Sequence, residues 1–271
     1  MAQRLSDGRL HLQHGPIDLV ILGSEAQYER ASLRFGTVLE ELVAELPLLR
    51  TPVGAAYPLA RGKVARRMIA AVWPHRAVFV TPMAAVAGAV ADEILEAMQP
   101  KGKAYVNNGG DIAVHLPAGE SFDAGIVNDL LRPRVDATIR LQESCGVATS
   151  GWRGRSHSLG VADAVTVVAQ DAAAADAAAT LVANAVTAEH PAIRRLPARA
   201  LKEDSDLGDL PVTVEVGPLP PHIVRAALDA GVKVADAMRA RGLIRAAYLA
   251  LQNRTTAVIP EVHFPALGRS T

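Results

Sequence analysis

The stretch that most constrains this chain runs from Asp171 to Ala188. Between Ala172 and Ala188 it holds no Lys, Arg or Glu. A surface helix would carry such residues along one face, so the composition predicts a helix buried almost all round. Asp176, Thr180 and Asn184 nevertheless fall at i, i+4 and i+8, one narrow stripe of that helix. A carboxylate on a buried helix needs a partner: an Arg from elsewhere, backbone N–H groups, or a bound cation. Asp, a Thr hydroxyl and carbonyl oxygens form an all-oxygen set that suits Mg²⁺. An ion-paired Asp176 is the plain structural alternative.

The rest of the composition narrows the classes. The chain has 271 residues, with 28 Lys plus Arg against 28 Asp plus Glu. No global field points to nucleic acid or an anionic membrane. Aromatic residues make up only 4%, which argues against base-stacking surfaces. Cys145 is the single cysteine, so no intramolecular disulfide forms. Met1 to Asp18 is polar, without the apolar core of a leader, and no run reaches the length of a membrane span. The expectation is a cytoplasmic protein with neither nucleic acid nor membrane as partner.

Along the chain, Leu10–Leu12 and Ile17–Leu22 read as strands around a Gly-Pro turn. Gln27–Glu45 reads as an amphipathic helix with Leu33, Val38, Leu42 and Leu46 inward, ended by Pro47. Thr51–Pro58 is a Gly/Pro-rich loop, and Arg61–Val72 a short basic helix. Its Arg61, Lys63, Arg66 and Arg67 read as a solvated face. Val78–Val80 is expected as a strand. Pro82–Met98 is a helix whose first half is small, with Ala84, Ala85, Ala87, Gly88, Ala89 and Ala91. Small residues admit close approach by another helix or by a flat ligand. Ala104–Leu116 alternates as a hairpin turning at Asn108-Gly109. Its glycines Gly109 and Gly110 expose backbone N–H groups beside Asp111. Strands are expected at Ala137–Gln142, Cys145–Thr149 and Val165–Ala169. Gly151–Gly160 is a cationic glycine-rich loop with Arg153, Arg155 and His157. Polar residues 197–210 are the best connector, giving a single unit or a two-lobed one. Val212–Val216 is a strand, His222–Ala240 an amphipathic helix, Leu243–Leu251 a strand, and the tail from Pro260 irregular. Hairpins mixed with long helices point to α+β.

Three segments, in order, resemble the ApbE family, flavin transferases that move FMN from FAD onto a Thr or Ser of a target protein. Met83–Asp92 is similar to that family's small-residue helix facing the flavin, and Asn107-Asn108-Gly109-Gly110-Asp111-Ile112 to its Gly-Gly-Asp hairpin. Ala148-Thr149-Ser150-Gly151, Ala164–Ala169 and Ala175–Thr180 resemble its Thr-Ser-Gly strand end, its Val-Thr-Val strand and its Ala-Asp-x-x-x-Thr helix. The resemblance implies an antiparallel sheet with helices packed around a central ligand cleft. It implies FAD and Mg²⁺ as cofactors, and Asp176, Thr180 and Asp163 as metal ligands, with Asp163 standing in for the family's acid. Ala84, Ala85, Gly88, Asn108, Gly109, Gly110, Thr149, Ser150 and Gly151 would line the flavin nucleotide. Arg153 and Arg155 would contact its phosphates, and Asp111 or His157 would serve as base.

The chain departs from the family in two places. Val86-Ala87 stand where the family carries a Lys. The family's His-Ile-Asp-Pro-x-Thr-Gly element is shortened to Ser156–Asp163. The expected function is a Mg²⁺-dependent FAD-binding protein, a transferase or hydrolase acting on the pyrophosphate of FAD. The acceptor would be a protein or a small molecule. The alternative is a flavin-binding or assembly protein without chemistry. The sequence leaves monomer and homodimer both open.

Overall fold

The computed structural model describes residues 1–129 and 132–259. The strands are β1 (Ala2–Arg4), β2 (Leu10–His14), β3 (Ile17–Leu22), β4 (Ala104–Asn108), β5 (Asp111–His115), β6 (Phe122–Ile126), β7 (Ala137–Leu141), β8 (Cys145–Ser150), β9 (Ala164–Ala169), β10 (Ile193–Pro197), β11 (Pro211–Val216), β12 (Ala246–Leu251) and β13 (Arg254–Val258). The helices are α1 (Glu25–Ala44), α2 (Leu46–Leu49), α3 (Lys63–Val72), α4 (Val86–Met98), α5 (Ala172–Ala185), α6 (Ala198–Leu201) and α7 (Pro221–Ala240). The chain divides into two compact units. Unit 1 comprises residues 1–120, 143–148 and 168–177; unit 2 comprises 121–142, 149–167 and 178–271. The polar stretch 197–210 therefore lies inside unit 2.

In unit 1, β1, β2, β3, β4, β5 and β8 follow one another across an antiparallel sheet. Strand β3 alternates Ile17, Leu19 and Ile21 inward, the period-2 pattern of a half-covered strand. Helix α4 packs on β4 and β5 and is flanked by α1 and α3. Its inner residues Ala89, Val90, Ala91, Ile94 and Met98 are fully buried. Helix α1 begins where Gln27 Oε1 accepts from the Ser24 N–H at 2.7 Å, satisfying one donor of the open first turn. It buries Tyr28, Ala31, Phe35, Val38 and Leu42. Leu33, expected inward, is 81% exposed, because it lies two positions from Ala31 and Phe35 and so on the opposite face. Pro47 does end α1, but it also occupies the first turn of α2, where its missing N–H costs nothing.

Two further expectations change. Val78–Val80 is not a strand: Val78 N–H donates back to His75 C=O at 3.1 Å, Val80 C=O accepts from Val53 N–H at 3.0 Å, and Val78 and Phe79 face solvent. Three apolar residues in a row satisfy strand propensity, but no neighbouring strand offers them a ladder. The hairpin is shifted by one residue. Asn108 pairs with Asp111, so Gly109 and Gly110 form the turn, with φ of 65° and 115°. Both values favour glycine.

In unit 2, β6 pairs with β7, β10 with β11, and β12 with β13, all antiparallel. Strand β9 lies next to β12, whose six residues are all buried. Helix α7 covers β12 and β13 with Val224, Ala227, Leu228, Gly231, Ala235 and Met238. At the end of α5, Asn184 Oδ1 accepts from Leu159 N–H at 2.9 Å and from the Ser158 hydroxyl at 3.2 Å. Among the described residues no helix is long and apolar enough to cross a membrane.

Gly88 yields a stability prediction. A Cβ built there would lie 2.1 Å from the Ala172 carbonyl oxygen. Helix propensity alone would make Gly88→Ala stabilising by up to about 1 kcal/mol. The clash is with backbone, which cannot swing aside, so overpacking decides the sign and the change should cost about 2 kcal/mol or more. Denaturant unfolding of Gly88→Ala, with Gly36→Ala in open space on α1 as control, measures it.

Candidate functional site

The site in unit 1 begins with the open N-termini of α4 and α5. The first turn of any helix leaves N–H groups without intrahelical partners. On α5 they are met by two carboxylates. Asp171 Oδ1 accepts from Ala174 N–H at 2.8 Å. Asp92, on α4, accepts from Ala172 and Ala173 N–H at 3.0 and 2.9 Å. On α4 the donors Ala87 N–H and Gly88 N–H point to Asp176, whose Oδ2 lies 3.1 Å from the Gly88 nitrogen. Each helix thus receives at its positive end a carboxylate carried by the other. Asn108 braces the arrangement: its Nδ2 donates to Ala87 C=O at 3.1 Å. In the hairpin turn Gly110 N–H donates to Asn107 Oδ1 at 2.8 Å.

The electrostatics are unbalanced. Asp176 keeps some accessible surface while lying deep among protein atoms. Burial raises its pKa well above the ordinary carboxylate range, and the charge of Asp111 raises it further. The N–H groups of Gly88 and Ala87 pull it down, and Asp92 pushes it up again. Two neutral donors are too few to hold an anion against burial and two like charges. Among the described residues, no Arg or Lys forms an ion pair with Asp176. The ion-paired alternative raised from the sequence is therefore not what this carboxylate shows. Asp92 is raised to about 6, first by burial, then by Asp171, against the N–H groups of Ala172 and Ala173 and the charge of Arg67.

The other expected residues are distributed as follows. Asp176, Thr180 and Asn184 are the partly accessible polar positions of α5 among buried neighbours, as the stripe implied. Asn184 is engaged with the 158–159 backbone and hydroxyl. Of the small residues on α4 and the turn before it, Ala85 is fully buried and Gly88 lies under the Ala172 carbonyl. Both belong to packing, whereas Met83, Ala84 and Ala87 stay partly accessible. Asn108, Gly109, Gly110 and Asp111 sit together in unit 1. Thr149, Ser150, Gly151, Arg153, Arg155, His157, Asp163 and Thr180 belong to unit 2.

In unit 2 the shortened loop is knitted to itself. Asp163 Oδ1 accepts from Trp152 Nε1 at 3.2 Å and from Arg153 Nε at 3.0 Å, and its Oδ2 accepts from Gln252 N–H at 2.6 Å. The Arg153 guanidinium lies 4.7 Å from the centre of the Trp152 ring and 3.6 Å from Asp129. At Gly151 a Cβ would come within 2.5 Å of the Asp163 carbonyl. Thr149 and Thr166 share a hydroxyl hydrogen bond of 2.8 Å. Arg153 and Asp163 also line a cleft of about 1070 Å³ with Asp129, Arg132, Tyr248 and Gln252. Among the described residues no group of three His, Cys, Asp or Glu side chains converges as a metal cluster. A cation at Asp176 would therefore draw on hydroxyl and carbonyl oxygens as well.

Asp92 received no role from the sequence, although it closes the small-residue segment. Its signal was spacing: it stands four residues after Gly88, on the face that the missing Cβ leaves open.

An antiparallel sheet with helices packed against it is the architecture this chain shares with ApbE structures. The chain aligns with the flavin transferase ApbE of Vibrio cholerae at TM-score 0.52 and 11% identity, over 95% of this chain and 97% of that one. It aligns with the ApbE protein of Thermotoga maritima at 0.50 and 14%, over 92% and 96%.

A family model described as AbpE bacteria matches residues 2–257, and the chain belongs to this family. Among sequence relatives, a UPF0280 protein of Methanothrix thermoacetophila is 35% identical over 190 residues, 64% of this chain and 76% of the relative. One of Methanosphaerula palustris is 34% identical over 193 residues, 66% and 77%. For others the matched stretch is about half the relative, as in Methanospirillum hungatei, at 39% identity over 46% of this chain and 51% of the relative.

The raised pKa of Asp92 sets a pH dependence. Its carboxyl is protonated more readily in the folded chain than in the unfolded one, where it titrates near 3.8. Its contribution to stability is complete below about pH 4 and is lost as pH rises through about 6, up to about 3 kcal/mol. In Asp92→Asn this part of the slope should vanish, which unfolding curves between pH 4 and 7 would show.

Proposed function

We propose that this chain binds a flavin nucleotide, FAD, together with Mg²⁺, and acts on the FAD pyrophosphate as a transferase or hydrolase. The observation that carries this is Asp176: a partly accessible but desolvated carboxylate, under the charges of Asp111 and Asp92, with two N–H donors and no cationic partner among the described residues. Such a group favours either a proton or a cation, and a hard divalent cation suits its oxygens. Asp176, with Thr180 one turn further along the same helix, would hold the ion. A divalent cation at such a site supplies charge stabilisation to phosphate oxygens. Ala84 and Ala87 leave room for a flat ring, and the Gly109-Gly110 turn offers backbone N–H groups. Asp111 would take the proton from the attacking hydroxyl. Asp163, tied to Trp152, Arg153 and Gln252, serves in this reading as the anchor of its loop.

The reading predicts that Mg²⁺ raises the wild-type melting temperature. At 100 times the dissociation constant the gain is about 2.7 kcal/mol. Asp176→Asn keeps an oxygen for Gly88 N–H and loses the charge. Its melt should ignore Mg²⁺, and without metal it should equal or exceed the wild type. A wild-type melt indifferent to both Mg²⁺ and FAD, with a large loss in the variant, would sink the assignment.

A second reading, flavin binding without transfer to protein, has its own observation. Arg153, expected on phosphate, is committed to Asp163, Asp129 and Trp152, and the element that positions reacting groups in the family is shortened. Positioning supplies several kcal/mol of rate acceleration. With FAD, Mg²⁺ and a Thr-containing acceptor peptide, labelled peptide should be scarce; free FMN and AMP would mark hydrolysis, and intact bound FAD the second reading. Efficient labelling would overturn the inference drawn from the shortened loop.

A further inference from the structure

The chain as a whole is neutral, but its charge is not evenly placed. From Leu46 to Ala91 there are six Lys and Arg residues and no Asp or Glu. Within unit 1 this segment presents two loops, 51–62 and 76–81, tied by the Val53–Val80 hydrogen bond of 3.0 Å. Their tips are apolar and point outward: Leu59 is 87% exposed, Val78 56%, Tyr57 46% and Phe79 43%. These are four of the nine large hydrophobic residues left exposed among the described residues. Such side chains concentrated on two joined loops mark a docking surface rather than ordinary scatter.

Five of the six cations, all but Arg50, divide into two groups. Lys63 and Arg67 are neutralised by Glu93 and Glu96. Arg61, Arg66 and Arg76 have no carboxylate partner among the described residues. Arg66 reaches the Arg61 carbonyl, and Arg76 lies over the Trp73 ring at 4.5 Å and donates to its carbonyl. Glu45, just before the segment, accepts from the backbone N–H groups of Arg61 and Gly62 at 2.8 and 2.6 Å, fixing the base of the loop. Tyr57 packs edge-on against Trp73 at 5.0 Å, so an amphipathic aromatic pair stands behind the apolar tips.

We infer that these two loops dock the protein peripherally on an anionic lipid surface. Leu59, Val78 and Phe79 would enter the headgroup–acyl boundary, with Tyr57 and Trp73 at the interface and Arg61, Arg66 and Arg76 on lipid phosphates. The loops combine exposed apolar side chains with cations and no acid, which suits an anionic lipid boundary. Pro52 and Pro58 stiffen the first loop, reducing the entropy lost on insertion. The expectation of no membrane partner rested on the total charge, which conceals this local excess.

Flotation of the full chain with vesicles of phosphatidylcholine, with and without phosphatidylglycerol, tests this. The protein should float only with phosphatidylglycerol and be released by high salt. Leu59→Ser with Phe79→Ser, and separately Arg61→Glu with Arg66→Glu, should lower partitioning at least about tenfold. Their melts should match the wild type, since all four side chains already face solvent. No flotation, flotation equal on neutral vesicles, or undiminished flotation of either variant overturns the inference. So does tight binding of an acidic, leucine-containing peptide to these loops without vesicle binding.

Discussion

Two helices exchange carboxylates, and much of unit 1 depends on that exchange. Asp92 leaves α4 to close the N-terminus of α5, and Asp176 leaves α5 to meet the first turn of α4. Neither carboxylate is satisfied by its own helix, and neither helix end by its own side chains alone. The exchange requires the backbones to approach until Gly88 touches the Ala172 carbonyl. That approach explains the run of Ala and Gly on α4, because any larger residue at the contact would hold the two dipoles apart. It also explains why α5 tolerates a carboxylate in an otherwise apolar sequence.

The same exchange sets carboxylates against neutral dipoles. Asp92, Asp171 and Asp176 all belong to unit 1, and the backbone N–H groups they receive carry no charge. Nearby cations are committed elsewhere: Arg34 to Glu41 and Glu93, Arg67 to Glu93 and Glu96. A fold could have placed one of these arginines on Asp176 and quieted it. This one neutralises the buried Glu93 instead, and burial keeps the Asp176 carboxyl raised.

How much of this was legible in the sequence varies by residue. The α+β class, most strands and all the long helices followed from periodicity, and the stripe of Asp176, Thr180 and Asn184 emerged on α5 as its spacing implied. What periodicity could not supply was partnership. Val78–Val80 has the composition of a strand and no strand beside it. Leu33 is apolar and sits on the wet face, since helical phase outranks side-chain type. The hairpin turned one residue later than Asn-Gly chemistry suggested, because two consecutive glycines accept positive φ more readily than Asn108. Asp92 was overlooked because its role lies in the N–H groups of a helix distant in sequence. Asp163 looked like a candidate acid, and only coordinates reveal Trp152, Arg153 and Gln252 gathered on it.

The capping of α5 by Asp92 spans eighty residues of chain. A local cap from Asp171 can start the helix, but its remaining first-turn donors wait for a side chain translated long before. An Ala-rich segment of fourteen residues is marginal as an isolated helix. On a ribosome, α4 and its Asp92 would already have emerged and settled on β4 and β5 when residues 171–185 appear. The last segment of unit 1 to be made thus meets a prepared receptor, and vectorial synthesis offers an order of assembly that refolding from denaturant, with its costly long-range closure, does not.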